Sequence, residues 1–286
     1  MSSINCERCV RVCLDIRCIP LGIMILLRGL NKFVLWYLVF LVIYGCLTKT
    51  IKEHNRWYFH ELVSESMVSK LTSVTLVVAH PDDEVMFFSP TLAQFNELLP
   101  INIPINVVCM TAGDADGLGH IRKQELVDSL RIMFHGRQFG CNVLDFEDAM
   151  DAVWDQALLE KQLRSSISDS HPLVLTFDQF GVSGHINHIS CGKLVEKLPY
   201  SHKLHLRSDQ PIYVKYSAFI AGIFQLGIST VYPDYGKPKC FISTLPQYLL
   251  AASAMSLAHT SQMVWFRVGW WLFSRFCFIN ELITSL

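Results

Sequence analysis

Two short stretches of this sequence gather side chains that seldom meet without a chemical reason. The first is Ala79-His80-Pro81-Asp82-Asp83-Glu84, with four polar or charged residues in five positions. Burying so many without partners is costly. Acidic residues also suit a helix N-terminus, where they meet the positive end of the helix dipole. Capping accounts for one acid, but not for His80 or a second adjacent Asp. The second stretch is Gly184-His185-Ile186-Asn187-His188. Histidines at i and i+3 project from one side of a helical turn. Two imidazoles and a carboxylate with open positions suit a zinc hydrolase or a non-haem iron site. A third stretch, Gly113-Asp114-Ala115-Asp116-Gly117-Leu118-Gly119-His120 with Arg122 and Glu125, reads by itself as a flexible turn leading into a helix. Beside the other two it becomes a substrate wall, with Arg122 able to hold a phosphate bidentately.

The elements that must position these residues follow from hydrophobic patterning. Val74–Ala79, Ile105–Met110, Cys141–Phe146 and Leu173–Phe177 are buried-strand runs. Residues 84–98, 121–135, 155–168 and 186–198 suit helices, the second with Leu126, Leu130 and Met133 on one face. Strands alternating with helices of this length predict an α/β fold, a Rossmann-like, mostly parallel sheet flanked by helices. The first and second motifs then follow strands, where open α/β sheets bind their ligands.

Composition narrows the setting. The chain has 286 residues, with 24 Lys and Arg against 25 Asp and Glu. No basic excess draws in nucleic acid, so no nucleic-acid partner is expected. Hydrophobic residues make up 51% and charged residues 17%, below the roughly 25% charged of ordinary soluble domains. The shortfall points to a membrane. Residues 33–47 carry no charge and read as an N-terminal transmembrane helix, slightly short of the roughly 20 residues a span needs unless it extends backward past Lys32. Arg17, Arg28 and Lys32 precede it and Lys49, Lys52 and Arg56 follow it, so charge does not set its orientation. Residues 263–279 hold three Trp and four Phe around Arg267 and Arg275. Eight residues separate the arginines, which would share one face of a continuous interfacial helix. Of ten cysteines, Cys6, Cys9, Cys13 and Cys18 crowd the N-terminus. Lacking a second well-spaced pair, they read as reduced thiols near a membrane rather than a zinc site. No Asn-x-Ser/Thr sequon occurs, which favours a cytosolic catalytic domain over a lumenal one.

The motifs resemble those of the N-acetylglucosaminyl-phosphatidylinositol de-N-acetylases, a branch of the LmbE-like zinc deacetylases. The matching pieces are AHPDDEVMFFSP at 79–90, the loop from Gly113 to Glu125, GVSGHINH at 181–188 and SQMVWFR at 261–267. The resemblance implies Zn²⁺, or another divalent metal, on His80, Asp83 and His188. It implies Asp82 as general base and His185 as the group that polarises the carbonyl and assists the leaving amine. It further implies Arg122 on the substrate's inositol phosphate, and Asp151 as a substrate-binding acid before Trp154. The implied activity is removal of the N-acetyl group of a glycolipid in the membrane, an early step of GPI-anchor assembly. The implied location is the endoplasmic reticulum membrane, single-pass, with the catalytic domain facing the cytosol. Expected boundaries are an N-terminal segment at 1–32, an anchor at 33–48, a linker at 49–71, the deacetylase domain at 72–260 and an aromatic, membrane-associated helix at 261–286. Two alternatives stay open: deacetylation of another N-acetylglucosamine conjugate, and a catalytically silent membrane subunit. The latter would be marked by a lost ligand, and none of the five motif residues is missing.

Overall fold

A computed structural model describes residues 21–284 apart from 150–153, 168, 233 and 235. The N-terminal cysteines and Asp151 lie outside the described residues. The chain divides into two units, Met1–Ile43 and Tyr44–Leu286. In the first begins a helix over Leu21–Cys46. Its stretch Arg28–Cys46, 19 residues with mean hydropathy 1.6, is long and apolar enough to cross a membrane.

The second unit is built on the strands β1 (Ser73–Val78), β2 (Ile105–Thr111), β3 (Phe139–Phe146), β4 (Pro172–Phe177), β5 (His202–Leu206), β6 (Phe241–Ile242), β7 (Ile279–Asn280) and β8 (Leu282–Ile283). The main sheet runs β3-β2-β1-β4-β5-β8. Its first five strands are parallel and β8 closes the edge antiparallel. This is the expected α/β fold. All six residues of β1 and of β4 are buried, because helices cover both faces of a parallel sheet. Val74 pairs with Ile105 on one side and Leu173 on the other. The strand order therefore reverses direction between β1 and β4, and the crevice at such a switch point is where ligands bind. The two histidine motifs leave the sheet there.

Several elements depart from expectation, each for a tertiary reason. The helix expected over 84–98 is broken into Asp83–Met86 and Ser89–Leu98. Asn280 fills the break: its Nδ2 donates to Phe87 O at 2.8 Å and its Oδ1 accepts from Thr91 N at 3.1 Å. The orphan groups of both helix ends are thereby satisfied. The 49–71 stretch, expected as a linker, forms a helix over Thr48–Leu62. Ile51, Tyr58 and Phe59 are buried, and Asn55 exchanges two hydrogen bonds with Ile242 of β6. Strand β5, HKLHL, was not foreseen because its pattern is too polar, yet it pairs with β4 along its whole length. The aromatic C-terminal helix covers only Trp265–Phe273. Ser274 starts a tighter turn by accepting from Phe276 N, and Arg275 is buried against Glu281 at 2.5 Å. Arg275 thus shares no exposed face with Arg267.

Candidate active site

His80 and the acids after it occupy a turn held from below. Asp83 Oδ2 accepts from Ala79 N at 3.0 Å and His80 N at 2.8 Å. Asp82 sits at φ 118°, in the left-handed region, a conformation costing roughly 1–2 kcal/mol for most residues and least for Asp and Asn. Its N–H donates to Glu84 Oε2 at 3.0 Å. Glu84 is fully buried; its Oε1 accepts from Ser129 at 2.7 Å and meets the buried His259 Nε2 at 2.6 Å. Burial works against a charged His259, but Glu84 outweighs it and holds the imidazolium above its ordinary range.

The second turn is folded around Asp178. This buried carboxylate accepts from Phe180 N, Gly181 N, Ser208 N and Ser208 Oγ, and Ser208 Oγ accepts in turn from Val182 N. The helix Ile186–Lys197 then passes so close to β4 that a Cβ on Gly192 would stand 2.7 Å from Phe177 O. Only glycine permits that approach, and it brings His188 to the sheet edge. Phe177 stacks on the His188 ring at 4.1 Å.

The turns meet. His80 Nδ1 lies 3.6 Å from Asp83 Oδ2, and His188 Nε2 lies 3.3 Å from Asp83 Oδ1. One ligand-capable atom from each of the three residues falls within 4.8 Å of the others. All three are buried. His188 Nδ1 faces Gly181 O at 3.2 Å and donates to it, which leaves the Nε2 lone pair turned inward. That buried Nε2 makes no well-formed hydrogen bond and faces Asp83 Oδ1 at 3.3 Å, an unusual state for a polar atom and one a metal ion shared with Asp83 would satisfy. Asp148, after β3, contacts His80 Nε2 at 3.1 Å and orients the ring as outer carboxylates do for metal-bound imidazoles. Burial opposes charge on Asp83 and on His80, yet in each the pairing wins. His188 and His80 hold Asp83 well below the ordinary carboxylate range, and Asp148 with Asp83 lifts His80 to about 10. A divalent cation replacing those protons fits the same negative surroundings. Two imidazoles and one carboxylate form the donor set of a catalytic, three-protein-ligand site.

Around this cluster opens a pocket of about 290 Å³ that also reaches Asp82, Arg122, His185 and Arg267. Asp82 is buried and bonded by Arg267 Nη2 at 2.8 Å. Burial pushes its carboxyl above the ordinary range against the pull of Arg267, with Asp83 adding to the rise. His185 is pushed down to about 4 by burial and then by His188 and His80. It is therefore a neutral ring at physiological pH, not an imidazolium. Its Nδ1 accepts from Asn187 N at 3.3 Å, so its proton is on Nε2. Arg122 lines the pocket, but its Nη1 donates to Gly113 O at 2.9 Å and its Nη2 to Pro81 O at 2.8 Å. It ties the two loops together, and a Cβ on Gly113 would collide with its guanidinium.

The sequence motifs therefore supplied His80, Asp82, Asp83, His185, His188 and Arg122, and the fold brings all six to one pocket. Asp148, His259 and Arg267 joined the site only in three dimensions, and Glu84, although part of the first motif, took on its role there. Asp148 had one usable signal: it is an acid directly after a strand adjacent to the switch point. Arg267 lay within a motif read as membrane-facing.

The GlcNAc-PI de-N-acetylase family model matches residues 75–198. The N-acetylglucosaminyl-phosphatidylinositol de-N-acetylase of Saccharomyces cerevisiae is 39% identical, over 73% of this chain and 80% of that protein. Its namesake from Bos taurus is 33% identical, over 72% of this chain and 81% of its own length. The protein named as a probable enzyme of this kind in Dictyostelium discoideum is 33% identical, over 73% of this chain and 92% of its own. With identities this high across most of each relative, the chain belongs to the GlcNAc-PI de-N-acetylase family.

Proposed function

We propose that this chain hydrolyses the acetamide of N-acetylglucosaminyl-phosphatidylinositol, giving glucosaminyl-phosphatidylinositol and acetate, in GPI-anchor assembly. The observation that carries this is the pairing of a three-residue metal-ligand set with an acid outside that set, Asp82, in one pocket. The names of the relatives give the substrate.

His80, Asp83 and His188 would hold the ion, for which zinc is the proposal; the donors also accept other divalent metals. When bound, the ion polarises the amide carbonyl and makes water acidic enough to attack near neutral pH. Asp82 takes the proton from the attacking water and delivers it to the leaving nitrogen as the C–N bond breaks. Arg267 fixes the Asp82 carboxylate for that transfer. The neutral His185, which lines the pocket, donates from its Nε2–H to the acetyl oxygen as negative charge builds there. A donor so placed contributes on the order of 3 kcal/mol. Asp148 and the Gly181 carbonyl hold the two ligand rings in their tautomers. Arg122 and Asp151 are proposed on the substrate side.

The substrate keeps the enzyme at a bilayer. The helix Arg28–Cys46 supports a single membrane span; the endoplasmic reticulum membrane and a cytosolic catalytic body are proposed with it. Trp265 and Phe266 are 85% and 56% exposed, and aromatic side chains of this kind favour the membrane interface. In protein reconstituted with brominated lipids, tryptophan emission is expected to be quenched, and Trp265→Phe to remove part of the quenched fraction. An unchanged quenched fraction would take this segment off the membrane.

The substrate assignment is tested by acetate release from the glycolipid beside a soluble N-acetylglucosaminide. A clear preference for the glycolipid is expected. Preference for the soluble sugar would transfer the activity to another N-acetylglucosamine conjugate.

A further inference from the structure

Two apolar cavities adjoin the polar pocket. One, of about 250 Å³, shares Phe87 and Ser183 with it and is bounded by Ile212, Tyr216 and Trp270. The other, of about 470 Å³, lies across Tyr216 and Trp270 and reaches Arg267, which returns to the polar pocket. Tyr216 and Trp270 meet edge to face at 6.2 Å. Together they make a trough between the short helix Ile212–Lys215 and the helix Trp265–Phe273. Its outer borders are apolar and open: Ile212 is 72% exposed and Tyr213 76%, facing the solvent as Trp265 does.

Three cations stand near the polar pocket, and their existing partners separate them. Arg267 is bonded to Asp82. Both terminal nitrogens of Arg122 are bonded to backbone carbonyls. Lys215, in the wall of the smaller apolar cavity, donates from Nζ only to Val182 O at 2.5 Å, and among the described residues it makes no ion pair with a carboxylate. Asp209 lies near enough to feel the Lys215 charge but is already paired with Arg207. A half-buried ammonium with no direct ion pair, at the border between a polar pocket and an apolar trough, is suited to an anion that itself joins a polar group to an apolar one.

We propose that Lys215 binds the phosphodiester of the substrate and that the trough of Phe87, Tyr216 and Trp270 receives the glycerol-proximal part of its lipid. This rests on the glycolipid reading above. It gives the site an order that matches the molecule: amide at His80 and His188, sugar and inositol in the polar pocket, phosphate at Lys215, acyl chains leaving between two exposed apolar edges.

The test compares Lys215→Gln and Lys215→Arg with wild type on three substrates: the glycolipid, its water-soluble deacylated form that keeps the phosphate, and a phosphate-free N-acetylglucosaminide. Lys215→Gln is expected to raise KM for both phosphate-bearing substrates by roughly 10- to 100-fold, the scale of one charge-assisted hydrogen bond, and to leave kcat nearly alone. The ratio of kcat/KM for phosphate-bearing over phosphate-free substrate should fall by the same factor, and Lys215→Arg should restore most of it. An equal loss on all three substrates would make Lys215 a brace for the Val182 turn and overturn the proposal. So would an unaltered ratio. A penalty confined to the intact lipid would show contact with the bilayer rather than the phosphate, which also overturns it. If wild type ignores the glycolipid and its deacylated form but cleaves the sugar, the glycolipid reading itself fails, a result distinct from any of these.

Discussion

Asp82→Asn should lower kcat by about 10²–10⁴-fold while leaving metal content and thermal stability near wild type. That range is what a positioned general base contributes. The substitution isolates the carboxylate. Asn tolerates the left-handed backbone at φ 118° as Asp does, it keeps an oxygen for Arg267 Nη2, and it leaves the three ligand residues alone. Asp82→Ala is a poorer probe, since Ala is strained at this φ and its loss of activity would mix backbone and proton-transfer effects. The measurement is single-turnover acetate release with metal stoichiometry determined on the same sample. A variant within threefold of wild type would remove Asp82 from the proton path.

His259→Ala should be the most destabilising single change near the site. His259 and Glu84 are both fully buried and 2.6 Å apart. Removing one partner of such a pair leaves a charge buried without its counter-ion, at a cost of about 3–5 kcal/mol. For a domain of this size that corresponds to a fall in Tm of roughly 10 °C. Activity should fall as well, because Glu84 also fixes the Asp82 N–H. His259→Gln, which can still donate to Glu84, should recover a large part of both losses. Equal destabilisation by Ala and Gln would mean that ring packing, not the ion pair, carries the effect.

How far the sequence revealed the molecule depends on whether a feature is local. The HPDDE and GHINH motifs were legible because each follows an apolar strand run and opens a helix, so their residue types and their place at the sheet's edge could be read together. The parallel sheet was legible for the same reason: β1 and β4 are continuous apolar runs. Glu84 and His259 stand 175 residues apart, and Arg267 and Asp82 185 apart. Nothing in either segment announces its partner. Asp82's backbone conformation was equally hidden, since the hydrogen bond to Glu84 imposes it and the pattern of acids does not. Strand β5 was masked by His202, Lys203 and His205, of which His205 is buried by bonding Phe177 O and Glu196. Aromatic content by itself cannot distinguish an interfacial face from a packed one, so Arg267 and Arg275, one in the active pocket and one in the core, were both assigned to a membrane helix.

The most direct test of the whole account is acetate release from N-acetylglucosaminyl-phosphatidylinositol by the purified full chain, measured before chelation, after it and after metal is returned, with His188→Ala carried in parallel. The account predicts about one divalent ion per chain in wild type, activity lost on chelation and restored by zinc or another divalent ion, and neither ion nor activity in His188→Ala. Undiminished acetate release from fully chelated protein, or from His188→Ala, would contradict it.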